Sequence, residues 1–472
     1  MKKVYSLLLL MALILALGSA VAEEQAGAAL SGTLTYWSCY TGDMRDWDLW
    51  RIGEFEKANP NVHVDVRFVP GSAGLRDGEL RQAVATGVAP DIICADDCAI
   101  CYGFAAWGGF QPWNQYMNGI GMDVDAYMSR HKDLMTQRGD AIYLLPQDSN
   151  VMLLFMNDQM LREAGYDPAT DYPKTIDELD ALSRKLTVRD QNGDVVRYGF
   201  IPWLDGGDPL LWPFMFGGEL YSAETNRLAL DEAKVIRSLE WQQGYAREYG
   251  VESVAMFLPE SGADGLFSPD HPFYTGKVAM MVAEGWAANV IPEYAPQIDC
   301  SVCAIPVPSG GRAESSPIDA HMFALPFGSK HPDLAAAFYS FCMCDEMTDS
   351  NCDAWCSIPV TGKQFDGARW TANNPVDVLE RRISDSPMTG YPCLSTVSLQ
   401  LSRAMRGLRD DVLSGKAPQP MLRDLEDRLQ LVLNITQPAT AEYVAARTGA
   451  ETNGGYSQAK ADARRAIIHV MD

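Results

Sequence analysis

Two adjacent carboxylates at the end of an apolar segment are the first side chains in this sequence suited to binding a small polar molecule. Asp96 and Asp97 follow the short apolar run that begins after Asp91. An ionised carboxylate offers two acceptor oxygens, so the pair can accept several hydrogen bonds from neighbouring hydroxyl groups. One of the two can instead cap the helix that follows. We treat both as candidate ligand contacts.

Aromatic and acidic side chains are also concentrated in the Gly- and Pro-rich loop 202–219. This loop contains Trp203, Asp205, Asp208 and Trp212. Surface loops rarely carry this much aromatic area without a binding role, and aromatic rings stack on flat apolar faces such as those of sugars. Trp203 and Trp212 are therefore predicted ligand contacts, although aromatic residues also fill cores.

The sequence contains no recognisable catalytic constellation. It has no Gly-x-Ser-x-Gly elbow, no His-Glu-x-x-His motif and no phosphate-binding glycine–lysine loop. A glycoside hydrolase would need two carboxylates about 5–10 Å apart. Asp96 and Glu284 are the candidate pair for this alternative, since they could face each other across a cleft. We predict a binding protein rather than an enzyme, with no catalytic residue and no cofactor.

Eleven cysteines lie in the chain after residue 38. In an exported protein the default is disulfides, with one thiol left over because the count is odd. Two clusters have the close spacing of zinc ligands, but the spacing is irregular and no histidines lie nearby, so no metal is predicted. These clusters are Cys94-x3-Cys98-x2-Cys101 and Cys300-x2-Cys303.

The N-terminal residues have the pattern of a secretory signal peptide. Two lysines precede an apolar run over 7–17, and the small-x-small sequence Ala20–Ala22 predicts cleavage before Glu23, so that 1–22 would be removed. The apolar run is shorter than the ~20 residues that span a bilayer. No cysteine lies near the cleavage site, so a lipid anchor is not expected. The chain is predicted to be exported, either periplasmic or extracellular.

Length and charge narrow the classes of partner. The 472 residues suit two domains of ordinary size, and the formal net charge is −24. An acidic surface of this size repels nucleic acid and anionic lipid and favours solubility. Nucleic acid is therefore not expected as a partner.

The segments that would position the candidate residues alternate between strand and helix patterns. Apolar residues alternate with polar ones over 62–68, which predicts a half-buried strand. Leu49, Ile52 and Phe55 are predicted to share the buried face of a helix. This alternation is typical of an α/β layer with a parallel sheet. The other elements predicted in this part are strands over 33–37 and 91–93 and helices over 47–57 and 79–86.

The same pattern continues to the end of the chain. Thr175 and Glu178 form a capping box that predicts a helix ending near Leu186. The remaining chain is predicted to form strands over 195–200 and 278–282, and helices over 232–249, 332–343, 402–413 and 421–433. A polar, alanine-rich tail begins at Gln437.

Several of these segments, in this order, resemble the extracellular solute-binding proteins of the maltose-binding type. The resemblance extends from about residue 33 to about residue 435. Each piece is a weak motif, and their order and spacing after a signal peptide carry the match. The pieces are Phe55–Pro60, Gly87–Ile93, Phe155–Asp158, Pro173–Leu179, Phe273–Met280, Glu284–Trp286 and Ser414–Lys416.

The resemblance implies an α/β, two-lobed periplasmic-binding-protein fold of type II, in which each lobe is a sheet flanked by helices. Ligand would bind in the cleft between the lobes, and the hinge would close on binding. By position, lobe one would combine 33–149 with 317–359, and lobe two 150–316 with 360–436. The tail would be 437–472.

The resemblance also implies the location of ligand contacts. His321 departs from the small residues that relatives have before the corresponding apolar strand, and it is expected either to reach the cleft or to pack at the hinge. The implied contacts are Trp37 and Tyr40 after the first strand, Asp148 and Asn150 at the first crossing between lobes, and Glu284 with Trp286, whose indole would stack on a sugar.

The implied function is capture of a sugar or oligosaccharide for an ABC importer, with the membrane permease as partner and the protein as a monomer. The segment Cys393–Ser398 lacks the aromatic residue that some maltodextrin binders have there, which argues against a specific assignment to maltose. Because the candidate segments are acidic, the same fold binding a polyamine or another cation is the main alternative. An exported glycoside hydrolase is the less favoured one.

Overall fold

The computed structural model describes residues 30–120, 135, 141–204, 207–257, 262–360, 364 and 375–451. The predicted signal peptide 1–22 and Asp205 lie outside these residues. Within them, no helix is long and apolar enough to span a membrane.

The described strands form a six-stranded sheet, a seven-stranded sheet and a small two-stranded sheet. In chain order they are β1 (Gly32–Ser38), β2 (Val62–Phe68), β3 (Ile92–Ala95), β4 (Phe110–Gln111), β5 (Leu144–Pro146), β6 (Asp148–Asn157), β7 (Val188–Arg189), β8 (Val195–Phe200), β9 (Tyr221–Ser222), β10 (Arg227–Leu228), β11 (Val278–Glu284), β12 (Cys300–Cys303), β13 (Ile318–Asp319), β14 (Met322–Pro326) and β15 (Ile358–Pro359).

The described helices pack around these sheets, together with a 3₁₀ segment over Gly262–Phe267. In chain order they are α1 (Gly42–Ala58), α2 (Pro70–Ala73), α3 (Glu79–Thr86), α4 (Cys98–Ala106), α5 (Asn114–Ile120), α6 (Asp158–Glu163), α7 (Ile176–Leu186), α8 (Leu211–Met215), α9 (Ala233–Tyr249), α10 (Val251–Phe257), α11 (Ala287–Tyr294), α12 (Pro332–Cys342), α13 (Asp345–Trp355), α14 (Pro375–Ser384), α15 (Ser398–Leu413) and α16 (Pro418–Glu451).

The first lobe is built around the six-stranded sheet, with strand order β2-β1-β3-β14-β4 and β5 beside β14. The strands β1, β2 and β3 are parallel, as the alternating strand and helix pattern predicts. In β2, Val62 and Val64 are buried while His63 and Asp65 are exposed. The period of two in the sequence therefore places one face of this strand in the core.

The helix α1 buries a different face from the predicted one. Ile52 and Phe55 are buried as expected, but Leu49 is 42% exposed. Asp48 and Arg51 are buried in its place, and they form an ion pair with each other. Because these two side chains satisfy each other's charge, the helix can turn a polar pair inward, which hydrophobicity alone does not predict.

The second lobe is built around the seven-stranded sheet, with order β12-β6-β11-β8-β7. The predicted capping box is present at the start of α7: the Thr175 hydroxyl accepts from the Glu178 amide, and the Glu178 carboxylate accepts from the Thr175 amide. The last helix, α16, continues to Glu451, beyond Gln437 where the predicted tail begins.

Two short strands of the seven-stranded sheet, β13 and β15, pair with the start of β6. The start of β6 follows β5 of the first sheet and continues into the second sheet. Its first residues pair with β13, through Val151 and Ile318, and with β15, through Ser149 and Ile358. We call this three-stranded region the hinge. The lobe boundaries given by the resemblance stay a proposal.

All eleven cysteines have free thiols in the structure, in contrast to the disulfides expected for an exported chain. Burial raises the pKa of Cys393 to about 11 and those of Cys303 and Cys342 to about 12. Such thiols stay protonated and behave as small apolar side chains.

Candidate ligand cleft

A cleft of about 210 Å³ lies between the lobes at the hinge. The first lobe contributes Arg76 and Asp97, the second lobe contributes Asp208 and Arg406, and Asp319 lies on β13 of the hinge. Binding sites for small molecules typically enclose about 300–1,000 Å³. In this conformation the cleft is therefore smaller than a typical ligand site.

The register of the hinge strands brings four side chains to one face of the sheet. Asn150 lies directly opposite Asp319, and Met152 directly opposite Glu284. Residues opposite each other in an antiparallel ladder share a face, and so do residues two apart on one strand. Since Met152 and Asp319 line the cleft, this face forms its floor.

Asp97 occupies the start of α4 at the wall of the cleft. Its carboxylate caps the helix by accepting from the Ile100 amide at 3.1 Å, and it forms an ion pair with Arg76 at 3.1 Å. Burial and the nearby charge of Asp319 raise the pKa of Asp97 to about 7, against the opposing effect of Arg76. The capping alternative for one of the two adjacent aspartates thus applies to Asp97.

The neighbouring carboxylates repel one another. Asp319 accepts hydrogen bonds from the amides of Cys98 and Ala320 at 3.0 and 2.9 Å. Burial and the charge of Asp96 raise the pKa of Asp319, and burial together with Asp319 raises that of Asp208. Asp96 has one buried oxygen, Oδ1, with no hydrogen-bond partner among the described residues.

Glu284 and Trp286 lie together at the end of β11. The indole Nε1 of Trp286 donates to Glu284 Oε2 at 2.6 Å. Burial and the charge of Asp319 raise the pKa of Glu284 to about 8. A side chain at Gly285, between them, would require Glu380 to shift, because a Cβ there would overlap Oε1 of that buried residue.

An aromatic rim beside Trp286 joins the two lobes. Phe267 stacks on Trp286 with ring centroids 5.4 Å apart and planes 6° apart, and its ring lies against Gly42 of the first lobe. Tyr294 donates to Asp43 across the lobes at 3.1 Å. Phe267 was not predicted from the sequence, since a single aromatic residue in a glycine-containing loop gives no periodic signal.

Asp148 and Tyr40 belong to a buried polar network in the hinge. Asp148 accepts from His321 Nδ1 at 3.0 Å and from Asn351 Nδ2 at 2.9 Å. Burial alone would raise the pKa of Asp148 and lower that of His321, but their mutual attraction holds them at about 2 and about 10. Tyr40 accepts from Gln147 Nε2 at 2.7 Å, so His321 packs at the hinge beside it.

The remaining three predicted contacts pack against apolar residues. Trp212 is 2% exposed in the core of the second lobe, and its indole donates to the carbonyl of Pro202. Trp203 packs against the same core. Trp37 packs against the first-lobe core and contacts the Arg67 guanidinium.

A family model of bacterial extracellular solute-binding proteins matches residues 47–346 of the chain. A comparison with curated protein sequences gave no match.

Several solved structures have the same fold. CpMnBP1 with mannotriose bound is 27% identical with a TM-score of 0.76, over 84% of this chain and 99% of that one. The GacH receptor of Streptomyces glaucescens, solved unliganded and with acarbose, is 20% identical with a TM-score of 0.68, over 86% and 99%. The maltose/maltodextrin-binding domain MalE from Bdellovibrio bacteriovorus, bound to maltotriose, is 17% identical with a TM-score of 0.66, over 87% and 100%. The predicted two-lobed α/β fold is confirmed.

Proposed function

Because the chain belongs to the bacterial extracellular solute-binding proteins, we propose that it captures a sugar or oligosaccharide in the cleft between its lobes. Closure at the hinge would enclose the ligand, and the closed form would deliver it to the membrane permease of an ABC importer. The protein would act as an exported monomer whose signal peptide is cleaved before Glu23 and which carries no lipid anchor.

The observation that carries this proposal is an aromatic platform beside hydrogen-bond acceptors on one face of the hinge sheet. The stacked rings of Trp286 and Phe267 provide a flat apolar surface. Glu284, Asp319 and Asn150 provide acceptors on the cleft floor. Sugars present apolar C–H faces and hydroxyl donors, and both kinds of group match this arrangement.

Of the predicted contacts, we keep those at the floor and walls of the cleft. These are Asp96, Asp97, Asn150, Glu284 and Trp286. Asp148 and Tyr40 are better suited to hold the hinge strands in position than to touch the ligand, because both are buried and hydrogen-bonded within the hinge network. Trp212 is not kept, since it is 2% exposed in the core of the second lobe. Trp37 and Trp203 are half-buried against the lobe cores, as Trp286 is, and stay predictions.

A thermal-shift screen of the purified protein would test the proposal directly. Mannobiose and mannotriose are the first probes, because CpMnBP1 has been solved with both, followed by maltotriose, polyamines and metal ions. A ligand present at about 1,000 times its dissociation constant stabilises the native state by about 4 kcal/mol. A rise in melting temperature with a sugar supports capture; a response to metal ions alone would overturn it.

Replacing the aromatic platform is the sharper test. We expect Trp286→Ala to weaken sugar binding by about 1–3 kcal/mol, because stacking and apolar burial are both lost. Trp286→Phe should retain most of the affinity, since it keeps a ring against Phe267. Isothermal titration calorimetry measures both.

The exposed Trp50 on α1 supplies a matched control, because Trp50→Ala removes an indole outside the cleft. Its sugar affinity should equal that of the wild type. A large fall in the melting temperature of Trp286→Ala, with unchanged affinity in the fraction that stays folded, would assign Trp286 to the core instead.

A hydrolytic alternative has one structural feature in its favour. The charge of Asp96 contributes to the raised pKa of Glu284, so the two carboxyl groups interact across the cleft. Incubation with oligosaccharides followed by product analysis separates the classes, since a binding protein returns its ligand intact. The family to which the chain belongs consists of binding proteins, and this favours binding.

A further inference from the structure

Carboxylates outnumber cations in and around the cleft. Asp97, Asp208 and Asp319 line it, and so do Arg76 and Arg406, of which Arg76 is paired with Asp97. Asp96 directly precedes Asp97, and Glu284 lies on the same face of the hinge sheet as Asp319. The positive charge of His321 is matched by Asp148 in the hinge. We call the five carboxylates Asp96, Asp97, Asp208, Glu284 and Asp319 the acidic cleft.

The carboxylates of the acidic cleft interact electrostatically. Glu284 is influenced by Asp319, Asp96 and His321 and accepts from Trp286. Asp208 is influenced by Asp319, Arg406 and Arg409. Closing the hinge around a neutral ligand would leave Arg76 and Arg406 as the cations that line the cleft beside these carboxylates.

Asn150 supplies an independent indication of a missing donor. It is 2% exposed, and its Oδ1 has no hydrogen-bond partner among the described residues. It shares the cleft floor with Asp319, which lies directly opposite, and with Met152, two residues along β6. An unsatisfied buried acceptor costs free energy that a ligand donor on this face would recover.

We propose that the ligand is a glycan containing an amino sugar, with its ammonium group held between Asp319 and the carboxylates of the two lobes. This rests on the proposed function in taking the ligand to be a sugar. The ammonium group supplies a further positive charge to a cleft in which carboxylates outnumber arginines, and it supplies the hydrogen-bond donor that Asn150 Oδ1 lacks among the described residues. The sugar ring would stack on Trp286.

Three trisaccharides separate the effect of the ligand's positive charge on affinity from the effect of its ring structure. Calorimetry at pH 6.5 would compare a β-1,4-linked glucosamine trimer, its fully N-acetylated counterpart and mannotriose. We expect the glucosamine trimer to bind at least about tenfold more tightly than either neutral sugar, because a desolvated charge pair strengthens binding by this much or more.

We expect the preference for the glucosamine trimer over the neutral sugars to depend on the negative charge of Asp319. Asp319→Asn should reduce the ratio of glucosamine-trimer to neutral-sugar affinity about tenfold, while the asparagine Oδ1 can still accept from the Cys98 amide. Asp208→Asn, on the opposite lobe, should act in the same direction. Asp427→Asn removes the same charge from an exposed position on α16 and should leave the ratio unchanged.

The possible outcomes distinguish the two proposals. Equal or tighter binding of the neutral sugars would overturn the amino-sugar inference and leave sugar capture standing. Binding of spermidine without the glucosamine trimer would overturn the glycan itself. If none of the three sugars binds, the proposed function fails together with the inference.

Discussion

Asp148 in the hinge and Glu380 on α14 are both buried carboxyl groups, 2% and 0% exposed, in opposite surroundings. Asp148 accepts from the backbone and side chain of His321 and from Asn351. Neither oxygen of Glu380 has a hydrogen-bond partner in the described part of the chain. The pKa of Asp148 is held at about 2, whereas burial raises that of Glu380 well above its ordinary range.

The comparison shows that hydrogen-bond and ion-pair partners, rather than the extent of burial, decide whether a buried acid is ionised. Burial acts on both groups in the same direction, toward the neutral form. At Asp148 a cation and several donors outweigh burial, so the hinge contains a true ion pair. At Glu380 the nearest charges are the acidic Asp377 and Glu284, which add to the effect of burial. One acid therefore ties strands together, while the other fills space as a neutral group.

Removing the charge of Asp148 should have the largest effect. Asp148→Asn leaves His321 buried without a counter-ion, and we expect the free energy of unfolding to fall by about 3–5 kcal/mol. Urea denaturation near pH 6 measures this change. Asp65→Asn, at an exposed position on β2, is the matched control and should change stability by less than about 0.5 kcal/mol.

The pH dependence gives this prediction a second check. The raised pKa of His321 stabilises the fold fully below its unfolded value of about 6.5, and this stabilisation is lost as pH rises through about 10. The stability gap between wild type and Asp148→Asn should therefore narrow from pH 6 to pH 10. A gap that stays constant over this range would mean that the pair is not ionic.

Glu380→Gln should have a smaller effect of opposite sign. The native state retains the Glu380 proton while the unfolded chain releases it above about pH 4.3, so this group lowers stability as pH rises. The amide does not titrate. We expect the variant to be more stable than the wild type by about 2 kcal/mol at pH 8 and equally stable at pH 4.

Thermal or urea unfolding of Glu380→Gln and the wild type at pH 4 and pH 8 shows whether the gain in stability comes from the titration of Glu380. Glu346→Gln, on the exposed face of α13, makes the same chemical change and should leave stability unchanged at both. A Glu380→Gln variant that is less stable at pH 8 would show that Glu380 is charged and paired in solution, and the contrast with Asp148 would be lost.

We expect the smallest effect on stability when one hydrogen-bond donor to Asp148 is truncated. Asn351→Ala removes the donor at 2.9 Å, and we expect a loss of about 1–2 kcal/mol. It should also move the acid limb of unfolding to higher pH, because the depressed pKa of Asp148 stabilises the fold above its unfolded value and this contribution is lost as pH falls. Gln159→Ala, which breaks an exposed bond to Glu163, should leave the acid limb in place.

The regular elements could be predicted because their signals are local. The alternation over β2 and the capping box of α7 each depend on residues within a few positions of one another. The buried face of α1 could not be predicted in full, because Asp48 and Arg51 look like solvated residues until they are seen to face each other and Gln147. Glu380 gives no local signal either.

The candidate site was predictable where it depended on order along the chain. Glu284 and Trp286 were indicated by the family resemblance, and the structure brings them together at the end of β11. Asp319 becomes important only through its pairing with Asn150 across the hinge, a contact between residues 169 positions apart. Trp212 is 2% exposed, and aromatic density in a loop does not reveal which rings turn inward.

The close approach of Gly285 to Glu380 also limits which substitutions each of these two positions can accept during evolution. A Cβ at position 285 would overlap a carboxylate oxygen of residue 380, which lies on a separate helix. A larger residue in place of the glycine therefore requires the Glu380 side chain to shift, whereas a shorter residue at position 380 would remove the overlap. A substitution at one position thus changes which residues the other can accept.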